Sequence, residues 1–325
     1  MTNMAVCIHQ PGGPEVLRWE EYPVGDLQEG DIRVRHTAVG LNFIDTYMRS
    51  GAYAVPDLPR PIGLEAAGVI EEIGPGVSGL NVGDRIAYAS PPPGAYSQAR
   101  QMPADRVVRV PQSVTDEQAA AIMLKGMTAE YLIRRTFRVE PGMTVLFHSA
   151  AGGVGLIACQ WLKALGATVI GTVGTKEKAE LARAHGCDYP ILFDQVDWVE
   201  QVKEITNGEG VPVVYDSVGK TTFAKSVQCL AMHGMVVLFG QSSGPTDPVD
   251  PAVLAPGSYY LTRPTLMTYT KQREDLEASA AALFDVVGNG QVRIEINQRY
   301  ALAEAEQAHR DLEGRKTTGS TLLIP

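Results

Sequence analysis

The residues best suited to chemistry lie mid-chain, in Val145-Leu-Phe-His-Ser-Ala-Ala-Gly-Gly-Val-Gly-Leu-Ile-Ala-Cys159. An apolar run is followed by Ala150-x-Gly152-x-x-Gly155 and then by a helix-compatible stretch. A strand, a glycine turn and a helix in that order present uncovered N–H groups and a partial positive charge at the helix start, which suits a phosphate-bearing ligand. Gly152 lets the backbone approach a pyrophosphate, and Gly155 lets the helix pack closely on the strand. The pattern departs from G-x-G-x-x-G by one methyl, at Ala150. The alternative for the turn alone is a tight strand-to-helix connection that binds nothing.

The next strand bears on which dinucleotide is held. NAD sites place an Asp or Glu about 20 residues on, against the ribose 2′-hydroxyl. Here Gly174-Thr175-Lys176-Glu177-Lys178 offers no acid at the strand end. Lysines in a first helical turn oppose the helix dipole, and a 2′-phosphate would give them a purpose. NADPH is therefore expected over NADH. The alternative is solvated surface lysines, with Glu177 offsetting one of them. Metal chemistry finds no support: the six histidines are dispersed, and no H-E-x-x-H or C-x-x-C occurs.

These groups need a scaffold. Residues 1–115 read as β-rich, with Ile32, Val34, His36 and Ala38 alternating with Arg33, Arg35, Thr37 and Val39. Short apolar runs punctuated by glycine argue for a compact barrel or sandwich. Thr115 with Gln118 forms a capping box before a helix over Ala119–Leu124. Gly126 is expected to break it, with a second helix running to about Phe137. Strands are then expected at Val145–His148, Thr168–Val173, Ile191–Phe193, Val213–Tyr215, Met235–Phe239 and Tyr259–Leu261. Helices are expected at Val154–Leu165, Lys176–His185, Trp198–Thr206, Thr222–Ala231 and Arg273–Gly288. Gly166, Gly186 and Gly234 stand where helix C-terminal caps belong. Repeated strand–helix units make a parallel, doubly wound sheet. A helix at Ala303–Leu312 and a strand at Ser320–Ile324 are expected to return to the first domain.

The 325 residues carry a net charge of −9, with 45% hydrophobic and 20% charged residues. That balance suits a soluble globular protein of two domains and disfavours nucleic acid or an anionic membrane as partner. Met143 to Leu162 lacks Asp, Glu, Lys and Arg, yet a strand, glycine loop and buried helix explain it better than a bilayer span. The opening MTNMAVCIHQ does not read as a signal peptide. Four scattered cysteines, Cys7, Cys159, Cys187 and Cys229, read as reduced thiols in the cytoplasm.

The chain resembles the zinc-independent NADPH:quinone oxidoreductases, the zeta-crystallin-like branch of the medium-chain dehydrogenase/reductase superfamily. The resemblance spans essentially the whole length. It is carried by Gly40-Leu-Asn-Phe-Ile-Asp-Thr-Tyr47, Gly63-Leu-Glu-Ala-Ala-Gly68, Gly83-Asp84, Ala150-Ala-Gly-Gly-Val-Gly155, Val214-Tyr-Asp-Ser-Val-Gly219 and Phe239-Gly-Gln-Ser-Ser-Gly244. It implies an α/β chain: a GroES-like β-barrel catalytic domain from residues 1–125 and 266–325, and a Rossmann domain over 126–265. It also implies a homodimer. Asn42 and Leu64 occupy the positions of zinc ligands in the alcohol dehydrogenases, and neither can serve as one. Without a Lewis acid the acceptor must delocalise charge itself, as a quinone or conjugated carbonyl does.

By the same resemblance, Asn42, Phe43 and Tyr47 lie near the nicotinamide, and Tyr53 and Tyr131 border the acceptor pocket; Asn42, Tyr47, Tyr53 and Tyr131 are the candidate catalytic residues. Gly152, Gly153 and Val154 match the pyrophosphate loop. Gly174, Thr175 and Lys178 match the 2′-phosphoribose contacts. Ser217, Phe239, Gly240 and Ser242 match the edge of the nucleotide cleft, and Arg315 a basic residue near the cofactor. Relatives carry a tyrosine against the 2′-phosphate where this chain has Phe193, which implies weakened NADPH preference. The expected reaction is direct hydride transfer to a quinone, with the proton drawn from solvent. The rivals are an alkenal or enoyl double-bond reductase on the same fold, and a non-catalytic NADPH-binding or RNA-binding protein.

Overall fold

The computed structural model describes residues 3 to 325; Met1 and Thr2, the first residues of the segment read for a leader, lie outside them. Two compact units are present: residues up to Met127 with Thr270–Gly288 and Ile294–Pro325, and Thr128–Tyr269 with Asn289–Arg293.

In the first unit the strand Asp31–Leu41 is the hub. It pairs antiparallel with Glu65–Ile73 along most of its length, with Ala99–Pro103 at its start and with Ser320–Ile324 at its end. Arg85–Ala89 and Val108–Arg109 extend the sheet on one side, and Ile296–Ala301 on the other. Ile32, Val34 and Ala38 are buried while Arg35 and Thr37 are exposed, as the alternation requires. The alternation stops at Val39, which is buried as well. A helix covers this end of the strand: a Cβ on Gly40 would sit 2.4 Å from the Ala120 carbonyl. Ile32, Val34, Ile70, Ile86, Tyr88 and Leu323 join one apolar core, each aliphatic contributing about 1.5–3 kcal/mol relative to exposure.

Two helices of this region matter below: α1, Phe43–Ser50, and α2, Asp116–Tyr131. The capping box before α2 forms. The Thr115 N–H donates to Gln118 Oε1 at 2.9 Å, and the Gln118 N–H donates to Thr115 Oγ1 at 3.1 Å. The expected break at Gly126 does not occur, and α2 runs unbroken into a π-helical turn at Leu132–Thr136. Gly126 serves packing instead, since a Cβ there would lie 2.4 Å from Leu283 Cδ1. One missing methyl lets another helix, Arg273–Gly288, come close.

The second unit is built on six parallel strands, in the order Tyr189–Leu192, Thr168–Val173, Thr144–Phe147, Val211–Asp216, Leu230–Leu238 and Tyr260–Thr262. Chain order reverses between Thr144–Phe147 and Val211–Asp216, the topological switch point where such sheets bind ligands. The helices α3, Gly153–Ala164, and α4, Lys176–Ala184, follow the first two strands in chain order. Gly166 and Gly186 take left-handed φ values of 82° and 88° just past them, as helix stops. The expected helix over Thr222–Ala231 is shorter, Phe223–Val227, because Leu230 already pairs with Val211 in the sheet. Gly234 is accordingly no cap. It lies inside the strand, where the register slips and neighbouring His233 takes φ 61°.

Removing the reciprocal cap should weaken α2 locally. Thr115→Ala is expected to lower stability by about 1 kcal/mol, read as a shift in the urea midpoint by circular dichroism with the slope unchanged.

Candidate active site

The second-unit residues expected to bind the dinucleotide gather along one edge of the parallel sheet. Gly152–Val154 follow Thr144–Phe147, Gly174 and Thr175 follow Thr168–Val173, Ser217 follows Val211–Asp216, and Phe239 and Gly240 follow Leu230–Leu238. All four connections leave the carboxyl ends of their strands, where parallel sheets hold ligands.

The turn before α3 has the shape a pyrophosphate needs. Gly152 is the N-cap, no side chain caps the helix, and no acid stands in its first turn. The first intrahelical bond runs from the Leu156 N–H to the Gly152 carbonyl at 2.9 Å, so the amides before it have no intrahelical carbonyl to serve. A Cβ on Gly155 would lie 2.3 Å from the Ser149 carbonyl and 2.7 Å from the Ala150 carbonyl carbon. Only glycine lets the helix start this close to the turn backbone. Gly152 differs: its Cβ would meet one atom closely, the Ser149 oxygen at 3.2 Å, leaving that side open to a ligand.

The neighbouring turns are equally determined. Thr175 caps α4, its Oγ1 accepting from the Lys178 N–H at 3.2 Å. Gly174 is exposed, and Phe193 is its nearest side chain, 3.9 Å from where a Cβ would stand. Phe193 therefore lies beside the turn that carries Gly174. Buried Asp216 accepts from the N–H groups of Val218 and Gly219 at 2.8 and 3.0 Å and from Thr222 and Ser226, which shapes the turn carrying Ser217. The Ser242 N–H donates to the Ser217 carbonyl at 3.1 Å, and Gly240 packs against Ser217 so tightly that a Cβ would reach its oxygen at 2.5 Å. Phe239 rests on Phe147, ring centroids 5.7 Å apart.

Tyr131 also belongs to the second unit. It is buried and stacks on Tyr269 with ring centroids 4.5 Å apart and planes 10° from parallel. Burial raises its hydroxyl pKa well above the usual tyrosine value, so the hydroxyl stays a hydrogen-bond donor. Tyr269 was not found from sequence, where nothing distinguishes it from a packing residue.

Asn42, Phe43, Tyr47 and Tyr53 group on and just after α1 in the first unit. Tyr47 meets Tyr53 edge-on at 5.4 Å, and the Tyr53 N–H donates to the Tyr47 carbonyl at 3.0 Å. Arg315 lies in the first unit too, in the turn after the helix Ala305–Glu313, with φ 57°. Buried polar groups seat α1. Asp45 Oδ2 accepts from the Asn42 N–H at 2.9 Å and from Tyr96 Oη at 3.1 Å, and Tyr96 contacts His309 Nε2 at 3.0 Å. His309 Nδ1 lies 3.1 Å from Arg49, which forks onto Glu313 at 2.9 and 2.8 Å. Arg49 can only donate, so His309 is neutral with its proton on Nε2. Burial, aided by Arg49, lowers its pKa to about 3. Burial raises Asp45 to about 7. Glu65, wholly buried beside Asn42, and Lys125 complete the cluster. A carboxylate in the small apolar run Gly63–Gly68 was the overlooked signal for Glu65.

Gly155→Ala should push into backbone and melt well below the parent, whereas Gly152→Ala should keep a near-native melting temperature by differential scanning fluorimetry. The buried His309 supplies a pH test. Its neutral form favours folding fully above the ordinary value of 6.5, and that support is lost as pH falls toward about 3. Asp45 works the other way, its contribution declining as pH rises toward about 7. His309→Gln should therefore flatten the loss of stability between pH 6.5 and 4, by up to ~1.4 kcal/mol per pH unit, in urea titrations at stepped pH.

Comparisons with known proteins place this geometry. Residues 28–140 match the alcohol dehydrogenase GroES-like domain, and residues 153–288 match the zinc-binding dehydrogenase family. Among the described residues no three His, Cys, Asp or Glu side chains are grouped to hold a metal. A quinone oxidoreductase of Pseudomonas aeruginosa is 50% identical over 97% of both chains. A 2-haloacrylate reductase of a Burkholderia species is 46% identical over 99% of both. The structure of Escherichia coli quinone oxidoreductase complexed with NADPH superposes with a TM-score of 0.97 at 46% identity, covering 99% of this chain and 100% of that one. The chain belongs to the quinone oxidoreductase family of the medium-chain dehydrogenase/reductase superfamily.

Proposed function

We propose that the chain reduces quinones with NADPH by direct hydride transfer. The observation that carries this is the uncapped start of α3 at the sheet's switch point, closed against the preceding turn at Gly155 and open at Gly152. Those residues fit a nicotinamide dinucleotide, which when bound supplies the hydride. The amides of Gly153 and Val154 would hold the pyrophosphate. Gly174, Thr175 and Lys178 would hold the 2′-phosphoribose, for which the absence of an acid at this strand end leaves room. Ser217, Phe239, Gly240 and Ser242 would line the nucleotide, and by family resemblance Asn42, Phe43, Tyr47 and Arg315 would serve it. Tyr47, Tyr53 and Tyr131 offer flat faces and hydroxyl donors to a planar acceptor with carbonyl ends. Tyr131, its hydroxyl kept protonated by burial, would donate a hydrogen bond to the acceptor, with the proton for the reduced acceptor drawn from solvent. Positioning and exclusion of water would account for most of the rate.

Reduction of an activated carbon–carbon double bond is the second reading, supported by the 2-haloacrylate reductase similarity. We also propose a homodimer formed at the edge strand Tyr260–Thr262. Its Tyr260 is 56% exposed, Met232 on the neighbouring strand is 67% exposed, and an unpaired strand edge favours pairing with a second copy. Four unpaired cysteines support a reducing, cytoplasmic setting. No helix among the described residues is long and apolar enough to cross a membrane.

Loss of NADPH absorbance with a simple benzoquinone should exceed that with an enone or a 2-haloacrylate; the reverse order would favour the second reading. Lys178→Ala should lower kcat/KM with NADPH about tenfold and leave NADH little changed. Phe193→Tyr should tighten NADPH by about two- to tenfold, the worth of one added hydrogen bond. A parent enzyme that prefers NADH would overturn the cofactor assignment.

A further inference from the structure

The first unit buries one ion pair against the candidate site, and its geometry has a definite effect on Asn42. Glu65 is wholly buried and Lys125 is 6% exposed. Glu65 Oε1 accepts from the Leu124 N–H at 2.6 Å; Oε2 accepts from Asn42 Nδ2 at 2.7 Å and from Lys125 Nζ at 3.2 Å. The fold makes space for this carboxylate: a Cβ on Gly40 would lie 2.1 Å from Oε2. An ionised carboxylate only accepts. Asn42 must therefore turn its N–H toward Glu65, and Oδ1 lies at the other corner of the carboxamide. Lys125 supplies the counter-charge that a buried carboxylate requires. Buried ion pairs are often no more stabilising than well-packed apolar residues of similar volume.

We propose that Lys125 and Glu65 are a positioning pair, which holds the Asn42 carboxamide by its N–H in one fixed orientation for the nicotinamide half of the cofactor. This rests on the reading above, in which Asn42 serves that group. Neither Lys125 nor Glu65 need touch a ligand, since both act through Asn42.

A double-mutant cycle on NADPH dissociation constants, read by intrinsic fluorescence, tests it. Lys125→Met should weaken NADPH by about tenfold, the loss expected when one hydrogen-bonding group is no longer held in place. In the Asn42→Ala background the same change should have less than about a twofold effect, because no carboxamide is left to orient. An equal factor in both backgrounds would overturn the proposal and leave the pair a general support of the fold. Should Lys125→Met fail to fold, Lys125→Met with Glu65→Gln removes both charges at similar volume, and the cycle is run on that pair with the same two outcomes. Melting temperatures recorded alongside show whether binding and folding part company. A parent protein that binds no NADPH refutes the functional reading itself, whereas a parent that binds it while the cycle proves additive refutes only the positioning role.

Discussion

The second unit depends on one close approach, of α3 to the turn that precedes it. At Gly155 the helix comes nearer to the turn backbone of Ser149 and Ala150 than any side chain allows. That contact fixes where the helix begins, and so which amides are left without carbonyl partners. Every other connection of the site is then set by its strand. The parallel ladder registers Gly171 opposite Phe147 and Tyr215 opposite Phe147, so the loops that leave those strands emerge side by side. A surface of the kind that suits phosphate thus arises from backbone geometry.

The first unit solves a different problem. Its α1 is only eight residues long, too short to be stable by its own hydrogen bonds. It is seated by polar groups drawn from distant parts of the chain: Tyr96 beneath its first turn, and His309 and Glu313 against Arg49. Buried polar networks of this kind are costly when half satisfied. Their directional bonds allow fewer arrangements than a layer of leucines would. The aromatic and amide groups on α1 inherit that definition.

Much of this was legible in the sequence, and the reasons are local. The glycine turn, the capping box at Thr115 and the glycine stops at Gly166 and Gly186 are written in neighbouring residues, and each appears where expected. Gly126 and Gly234 misled because glycine has two uses. One is to take a backbone angle other residues avoid; the other is to vacate a methyl's worth of space for a partner far along the chain. Leu283 lies 157 positions from Gly126, by subtraction of their numbers. No local pattern discloses such a partner. Glu65, Lys125, Tyr269 and His309 escaped for the same reason, since their meaning comes from groups that only folding brings near. The short helix at Phe223–Val227 shows sheet pairing prevailing over an alanine-containing stretch with helical spacing.

The strand Ser320–Ile324 is among the last segments of the chain, yet it lies within the larger sheet, between Ile296–Ala301 and Asp31–Leu41. Leu322 and Leu323 are wholly buried there. During synthesis the end of Asp31–Leu41 that Ser320–Ile324 covers has no strand partner there until that late segment is made, whereas the strands of the second unit's sheet all lie within Thr128–Tyr269. The second unit's sheet can thus be complete on the ribosome before the first unit's is, which leaves apolar surface of the first unit uncovered for longer.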